Sequence, residues 1–328
     1  MFRRHLAAAV LAALVVSVAS SPVLAQGQDG KFPSRTIRVV VPFAAGGGVD
    51  ALARLLAERM HSRMGVSIIV ENRAGANGTI GGSYVLQSPP DGYTVLFSSN
   101  THTMSKLVMN NAPYDPLADF TPIARVGEAP LLVVIASKLP QKTLAEIAAA
   151  AQKDPKSWTA GTPALGSPGH LATLSFSRLT KTNLTIAAYR GTAPALNDVA
   201  GGHIEMLIDA MVVLLPMAKS GRVKDIAVTT LRRSAIAPDV PTAAESGVPG
   251  LNVVSWYGMW GPKGLPAEVT AGLNAAAAAA VRELDETGRL AQIGVEPTYG
   301  TSAEFAKFQA AEVQRNGELL NAANFKPQ

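Results

Sequence analysis

The chain alternates between two hydrophobic periods, and that alternation limits it to a small set of folds. A β-branched run from Thr36 to Phe43 is broken by Ala44-Ala45-Gly46-Gly47-Gly48. A helical pattern follows from Asp50 to about Met64, with Leu52, Leu55, Leu56 and Arg59 in register. Ser67 to Glu71 reads as the next strand, Gly75 to Gly82 as a glycine-rich loop leading to a second helix, and Asp91-Gly92 as a turn into a strand Tyr93 to Ser98. This β-α-β-α-β order predicts a parallel sheet with helices on its faces.

A second stretch repeats the theme. Leu131 to Ile135 is a strand and Leu144 to Gln152 an Ala-rich helix. A polar loop Gly161 to His170 precedes strands at Thr185 to Ala188, Glu205 to Asp209 and Val223 to Thr229. From Pro266 onward the pattern is helical, Ala267 to about Gln292 and Ser302 to about Ala323, with Leu273, Val281 and Leu284 keeping one apolar face through a six-Ala run. With 328 residues there is room for two α/β lobes and a cleft between them. In such sheets ligands sit at the carboxyl ends of strands, where loops and helix starts converge.

The first twenty-five residues read as an address. Arg3 and Arg4 precede an apolar run from Leu6 to Val16, and Val23-Leu24-Ala25 is a small-residue exit. That is the plan of a secretory signal peptide, cleaved near Ala25, and the apolar run is too short to span a bilayer. The chain has no Cys, which excludes disulfides, thiolate nucleophiles, Cys-ligated zinc and a lipoprotein anchor. The expected location is therefore a bacterial periplasm. A net charge of +5 without a Lys/Arg block gives no nucleic-acid footprint.

Catalytic patterns are absent. The Gly46 loop lacks the Lys of a phosphate-binding P-loop, and Leu165 stands where a Gly-x-Ser-x-Gly elbow needs its first Gly. No His-Glu-x-x-His pair exists for zinc. A binding protein is expected rather than an enzyme, with no cofactor and no metal. The Gly-rich loop before Asp50 is the sharpest candidate site: its glycines permit close backbone approach, and Asp50 is expected to cap a helix whose first N–H groups favour an anion. His102 and His170 follow strands and are open to either a pocket or a structural role. Asp209, at a strand end, could receive a ligand donor or cap the next segment. Trp256, Tyr257 and Trp260 are expected to pack where the chain crosses back between lobes.

Taken together, Ile37-Arg38-Val39-Val40-Val41-Pro42-Phe43 with the glycine loop, Val70-Glu71-Asn72-Arg73-Ala74-Gly75, Asp91-Gly92-Tyr93-Thr94, Tyr114-Asp115-Pro116, Tyr189-Arg190-Gly191, Pro238-Asp239-Val240-Pro241-Thr242 and Trp256-Tyr257-Gly258 resemble, in order, the Bug (TctC-like) receptors of tripartite tricarboxylate transporters. The resemblance implies an α/β, two-lobed type II periplasmic-binding-protein fold, each lobe a doubly wound sheet with helices. Lobe 1 is expected from 26–126 and 253–328, and lobe 2 from 127–252. It implies capture of a small organic carboxylate, a di-/tricarboxylate or aromatic acid, by a monomer that presents it to a membrane permease. The alternative partner is a membrane sensor kinase; a hydrolase or lyase on the same scaffold lacks a nucleophile and base. Implied ligand contacts are Phe43, Ala44, Ala45, Gly46, Gly47, Asn77, Gly78, Thr101 and His102 on one lobe. On the other they are Gly166, Ser167, His170, Tyr189, Arg190, Gly191 and Asp209. Ala74, Ala188 and Arg190 depart from the family's usual Pro, Pro and Lys. The apolar Thr162-Pro163-Ala164-Leu165 and Met211-Val212-Val213 point to a ligand with an apolar body.

Overall fold

The computed structural model describes residues 32–154 and 157–328; the signal-peptide segment lies outside them. In chain order the elements are β1 (Ile37–Val41), α1 (Gly48–Met64), β2 (Ile68–Asn72), α2 (Thr79–Leu86), β3 (Thr94–Ser99), α3 (Thr101–Val108) and β4 (Phe120–Ala136). Next come α4 (Leu144–Lys153), β5 (Thr159–Thr162), α5 (Pro168–Thr180), β6 (Thr185–Ala188), α6 (Thr192–Gly201), β7 (Met206–Ala210), α7 (Met211–Lys219) and β8 (Val223–Val228). The chain closes with β9 (Val254–Pro262), α8 (Ala267–Glu286), α9 (Arg289–Gln292), β10 (Glu296–Pro297) and α10 (Ser302–Ala322).

Two sheets share one strand. The first runs β2-β1-β3-β9-β4, with β2, β1 and β3 parallel and β9 antiparallel to both neighbours. The second has β6, β5 and β7 parallel, in the order β6-β5-β7, with β4 antiparallel to β7 and to β8. Within β4, Phe120 to Pro130 pairs with β9 and Leu131 to Ala136 with β7 and β8, so the chain leaves one sheet for the other at Pro130–Leu131. The parallel-sheet expectation therefore holds for three strands in each sheet. Of the antiparallel strands, β8 and the second half of β4 fall on the expected strands Val223 to Thr229 and Leu131 to Ile135, whereas β9, β10 and the first half of β4 have no strand pattern of their own. Both trios put the earliest strand in the middle. Their carboxyl ends are thus the switch points at which α/β sheets bind ligands.

Helices end where their residues dictate. Gly65 follows α1 with φ 68° and returns its N–H to the His61 carbonyl, a left-handed stop that a Cβ disfavours. Gly288 takes φ 69° and separates α8 from α9, so the helix expected to reach Gln292 is broken after Glu286. Thr301 and Glu304 form a reciprocal capping box at the start of α10.

β9 shows why the tail docks on the first sheet. Trp256 and Trp260 point to one face and meet Phe305 of α10 at ring centroids of 5.9 and 5.3 Å. Their indole N–H groups donate to Glu312 (3.3 Å) and Gln309 (2.8 Å), which satisfies both donors inside the core. Tyr257 points the other way, because strand side chains alternate. Packing at this crossing thus accounts for Trp256 and Trp260 but not for Tyr257. Among the described residues no helix is long and apolar enough to cross a membrane.

Candidate functional site

Between the sheets lies a cavity of about 50 Å³, lined from both sides. Its walls are helix starts: Gly47 to Asp50 of α1, Ser99 and Thr101 at α3, Ser167 and Pro168 at α5, Gly191 to Ala193 at α6, and Asp209 and Ala210 at α7. Four of these helices follow the carboxyl ends of β1, β3, β5 and β7, and α6 follows β6, so the topology itself gathers five N-termini. The first-turn N–H groups of a helix have no partner within it and carry the positive end of its dipole. No Lys or Arg lines the cavity among the described residues. The donors that this wall can offer an anion are backbone N–H groups and hydroxyls, not side-chain cations.

The α1 loop is built for this role, by a different device from the one expected. The cap position is Gly47, with no side-chain cap, and Asp50 is the third residue of the helix. Its carboxylate folds back to accept from Gly46 N–H (3.0 Å), while Asn72 Nδ2 (2.9 Å) and Arg54 Nε (3.1 Å) donate to it as well. Burial opposes its charge, but Arg54, Gly46 and Asn72 together hold its pKa below the ordinary Asp value. Asn72 also donates to the Phe43 carbonyl (3.1 Å), so the end of β2 braces both ends of the loop. Gly46 has φ 86°, a conformation that favours glycine, whereas Gly47 has an ordinary extended φ of −81°.

Gly48 is where the two sides touch. A Cβ built there would stand 3.1 Å from Ala210 Cβ, 3.4 Å from Val212 Cγ1 and 3.5 Å from the Tyr257 hydroxyl. Asn77 Nδ2 donates to the Leu165 carbonyl across the cleft at 2.8 Å. Gly166, with φ 72°, packs on α3, where a Cβ would fall 2.6 Å from Met104 Cβ. The two lobes are closed on each other.

Asp209 is buried at the cavity wall. Thr192 Oγ1 donates to its Oδ2 (2.6 Å) and Ala210 N–H to its Oδ1 (2.8 Å). Burial raises its pKa above the ordinary carboxylate value despite both bonds. Tyr257 is pushed up to about 12, chiefly by burial, and stays a neutral phenol.

Of the expected contacts, Phe43, Ala44, Ala45, Gly47, Thr101, Ser167, Gly191 and Asp209 lie on the cavity wall. Asn77, Gly78, Tyr189 and Arg190 line a neighbouring chamber of about 200 Å³ that shares Phe43, Pro163 and Ala164 with the first. The Tyr189 hydroxyl is already committed to Asp198 (2.6 Å). Four expected contacts sit elsewhere, each for a packing reason. Gly46 turns its N–H to Asp50. His102 is enclosed by Tyr114, Phe120 and Trp260, and burial lowers its pKa to about 3. Gly166 lies against α3, its N–H donating to His170 Nδ1 (3.0 Å). His170 stands edge-on to Phe325 at 5.1 Å, with a pKa lowered by burial to about 4.

The residues that sequence reasoning did not place at the cavity are mainly Gly48, Ser99, Thr192, Ser255 and Tyr257. Ser255 and Tyr257 were within reach of a period-2 reading of β9, which puts them on the face opposite Trp256. Thr192 directly follows Tyr189-Arg190-Gly191, and nothing in its own context marks it.

Residues 52–325 match a family model described as the tripartite tricarboxylate transporter family receptor. A UPF0065 protein of Bordetella bronchiseptica is 36% identical over 323 residues, covering 98% of this chain and 95% of that one. The structure of the periplasmic binding protein BugD superposes with a TM-score of 0.84 at 33% identity, covering 90% of this chain and all of BugD. That of R. palustris Rpa4515 with adipate superposes with a TM-score of 0.86 at 34% identity, over 90% of this chain and 100% of that one.

Proposed function

The chain belongs to the tripartite tricarboxylate transporter family of receptors, Bug-like and two-lobed, and from that premise we propose that it is a non-catalytic periplasmic protein that captures a small organic acid between its lobes. Residues 33–130 with 253–328 move as one lobe and 131–252 as the other, the boundary expected after residue 126 falling at Pro130–Leu131, where β4 changes sheets. A carboxylate enters the cavity while the lobes are apart, meets the N–H groups of the α1 loop, and is enclosed when α5, α6 and α7 swing onto it. The closed form delivers the acid to a tripartite-type membrane permease, after export directed by the segment ending near Ala25.

The convergence of five helix N-termini on a wall without Lys or Arg carries this reading. Each N–H given to a carboxylate is a charge-assisted bond worth about 1.5–3 kcal/mol. Because contacts come from both lobes, the acid shifts the population toward closure by its differential affinity for the closed state. The cavity itself holds a carboxylate and a short stem. A longer body extends past Phe43 into the neighbouring chamber, where Pro163, Ala164 and Leu165 offer apolar surface and Arg190 an exposed cation. The adipate bound to Rpa4515 agrees with an acid of this length.

A thermal-shift screen against acetate, malate, adipate and benzoate, with amines and sugars as controls, tests the reading. An acid at 100 times its Kd adds about 2.7 kcal/mol of stability. A response confined to carboxylates supports it; a response to amines or sugars alone refutes it and leaves the fold untouched.

A further inference from the structure

Asp209 poses a problem that the anion-binding reading does not solve. A wall that draws in a carboxylate carries a buried carboxyl of its own, 6% exposed. Each of its oxygens accepts one bond, from Thr192 and Ala210, and no ion pair reaches it among the described residues. The groups around it do not neutralise it. From α1 comes Asp50, whose charge is spent on Arg54, Asn72 and Gly46. From β9 comes Tyr257, a neutral phenol. On α5, His170 is neutral and its Nδ1 accepts from Gly166. Ahead of α6, Arg190 lines the outer chamber instead. The paired residue on β4 is Leu132, and α7 begins with Met211 and Val212, which carry no charge.

We propose that a carboxylic acid enters this site together with one proton, held between the acid's carboxylate and Asp209. The inference rests on the carboxylate reading above. Asp209 lines the cavity of about 50 Å³ that receives the acid, so the two carboxyl groups share one enclosure. Two carboxylates sharing a low-dielectric site cannot both stay ionised, so one takes a proton from solvent. Each oxygen of Asp209 keeps a second lone pair. The proton therefore completes an O–H···O⁻ bond to the acid without breaking the bonds from Thr192 or Ala210. The proton taken up is released when the lobes open and the acid leaves. Binding is then linked to pH: apparent Kd rises as pH climbs past the free-state pKa of Asp209, up to tenfold per pH unit until the loaded-state pKa is reached.

Titration calorimetry of the purified protein with acetate, malate, adipate and benzoate decides the matter. Carboxylic acids are anionic between about pH 6.5 and 8.5, so the ligand's own titration does not interfere. At each pH, two buffers of different ionisation enthalpy give the number of protons taken up. The expected result is uptake approaching one proton per acid, with Kd weakening with pH, and both effects abolished in Asp209→Asn. An acid that binds the native protein with no proton exchange and a flat Kd overturns the proposal. A loss of affinity beyond tenfold in Asp209→Asn would then mark Asp209 as an acceptor for a ligand hydroxyl or ammonium. Absence of heat with all four acids removes the carboxylate reading itself and the inference with it. Failure of Asp209→Asn to fold leaves the native proton count as the deciding measurement.

Discussion

Gly48 and Gly272 are glycines whose enlargement has opposite consequences for binding, and the contrast tests closure directly. At Gly272, on α8, an added Cβ meets nothing within 4 Å. At Gly48 it would press on Ala210 Cβ at 3.1 Å, and the added methyls of valine must enter the space held by Val212 and Tyr257. Ala210 and Val212, the two nearer contacts, belong to the opposite side of the cleft, so Gly48→Val penalises the closed state more than the open one, where only the Tyr257 hydroxyl at 3.5 Å remains. Overpacking of this kind costs about 1–3 kcal/mol. Since the acid binds through closure, that penalty passes into affinity, a weakening of roughly 5- to 150-fold. Titration calorimetry with whichever acid of the panel binds measures it, and small-angle scattering shows whether the loaded protein still contracts. Gly272→Ala serves as the control, with Kd within about twofold of native, since Gly272 lies on α8 and does not line the cavity. Equal affinity for Gly48→Val and the native protein would refute the argument that this contact belongs to the ligand-bound form.

Other perturbations follow from the same geometry. Asn77→Ala removes the bond to the Leu165 carbonyl across the cleft and weakens binding about fivefold, since one such bond is worth about 1 kcal/mol; surface plasmon resonance reads it as a faster off-rate. Asp50→Ala frees Gly46 N–H and strands Arg54 beside the loop, costing about 1–3 kcal/mol of stability in urea denaturation and slackening the anion loop. His102 and His170, with folded pKa values lowered to about 3 and about 4, bind their protons more readily when unfolded. Stability is therefore undiminished above the unfolded value near 6.5 and falls as pH drops from there toward 4, by about 3 kcal/mol for each histidine. His102→Leu flattens part of that acid limb, which pH-dependent thermal melts detect.

Much of this protein is written locally. The alternation of β-branched runs with helical patterns marks β1, α1, β2, β3 and the tail helices, because period and burial face are properties of the segment itself. The glycine loop before α1 is equally legible, since Gly46 needs a backbone freedom that only its own residue type supplies. Other elements have no local mark. The first half of β4 contains Pro122, Gly127 and Pro130 and reads as loop until β9 pairs with it. Short helices α3, α5, α6 and α7 gain little from propensity and owe their existence to packing and to their caps, such as Ser167 accepting from His170 N–H. Hence His102 and His170, legible as polar residues after strands, were turned by those helices into the core. Asp209, Tyr257 and Gly48 lie far apart in the chain and meet because β4 pairs with both β7 and β9. Local chemistry determined which segments could bind an anion. Only long-range strand pairing decided which of them face one another, because a hydrogen-bond register between distant strands is set by the whole sheet and not by any one of its residues.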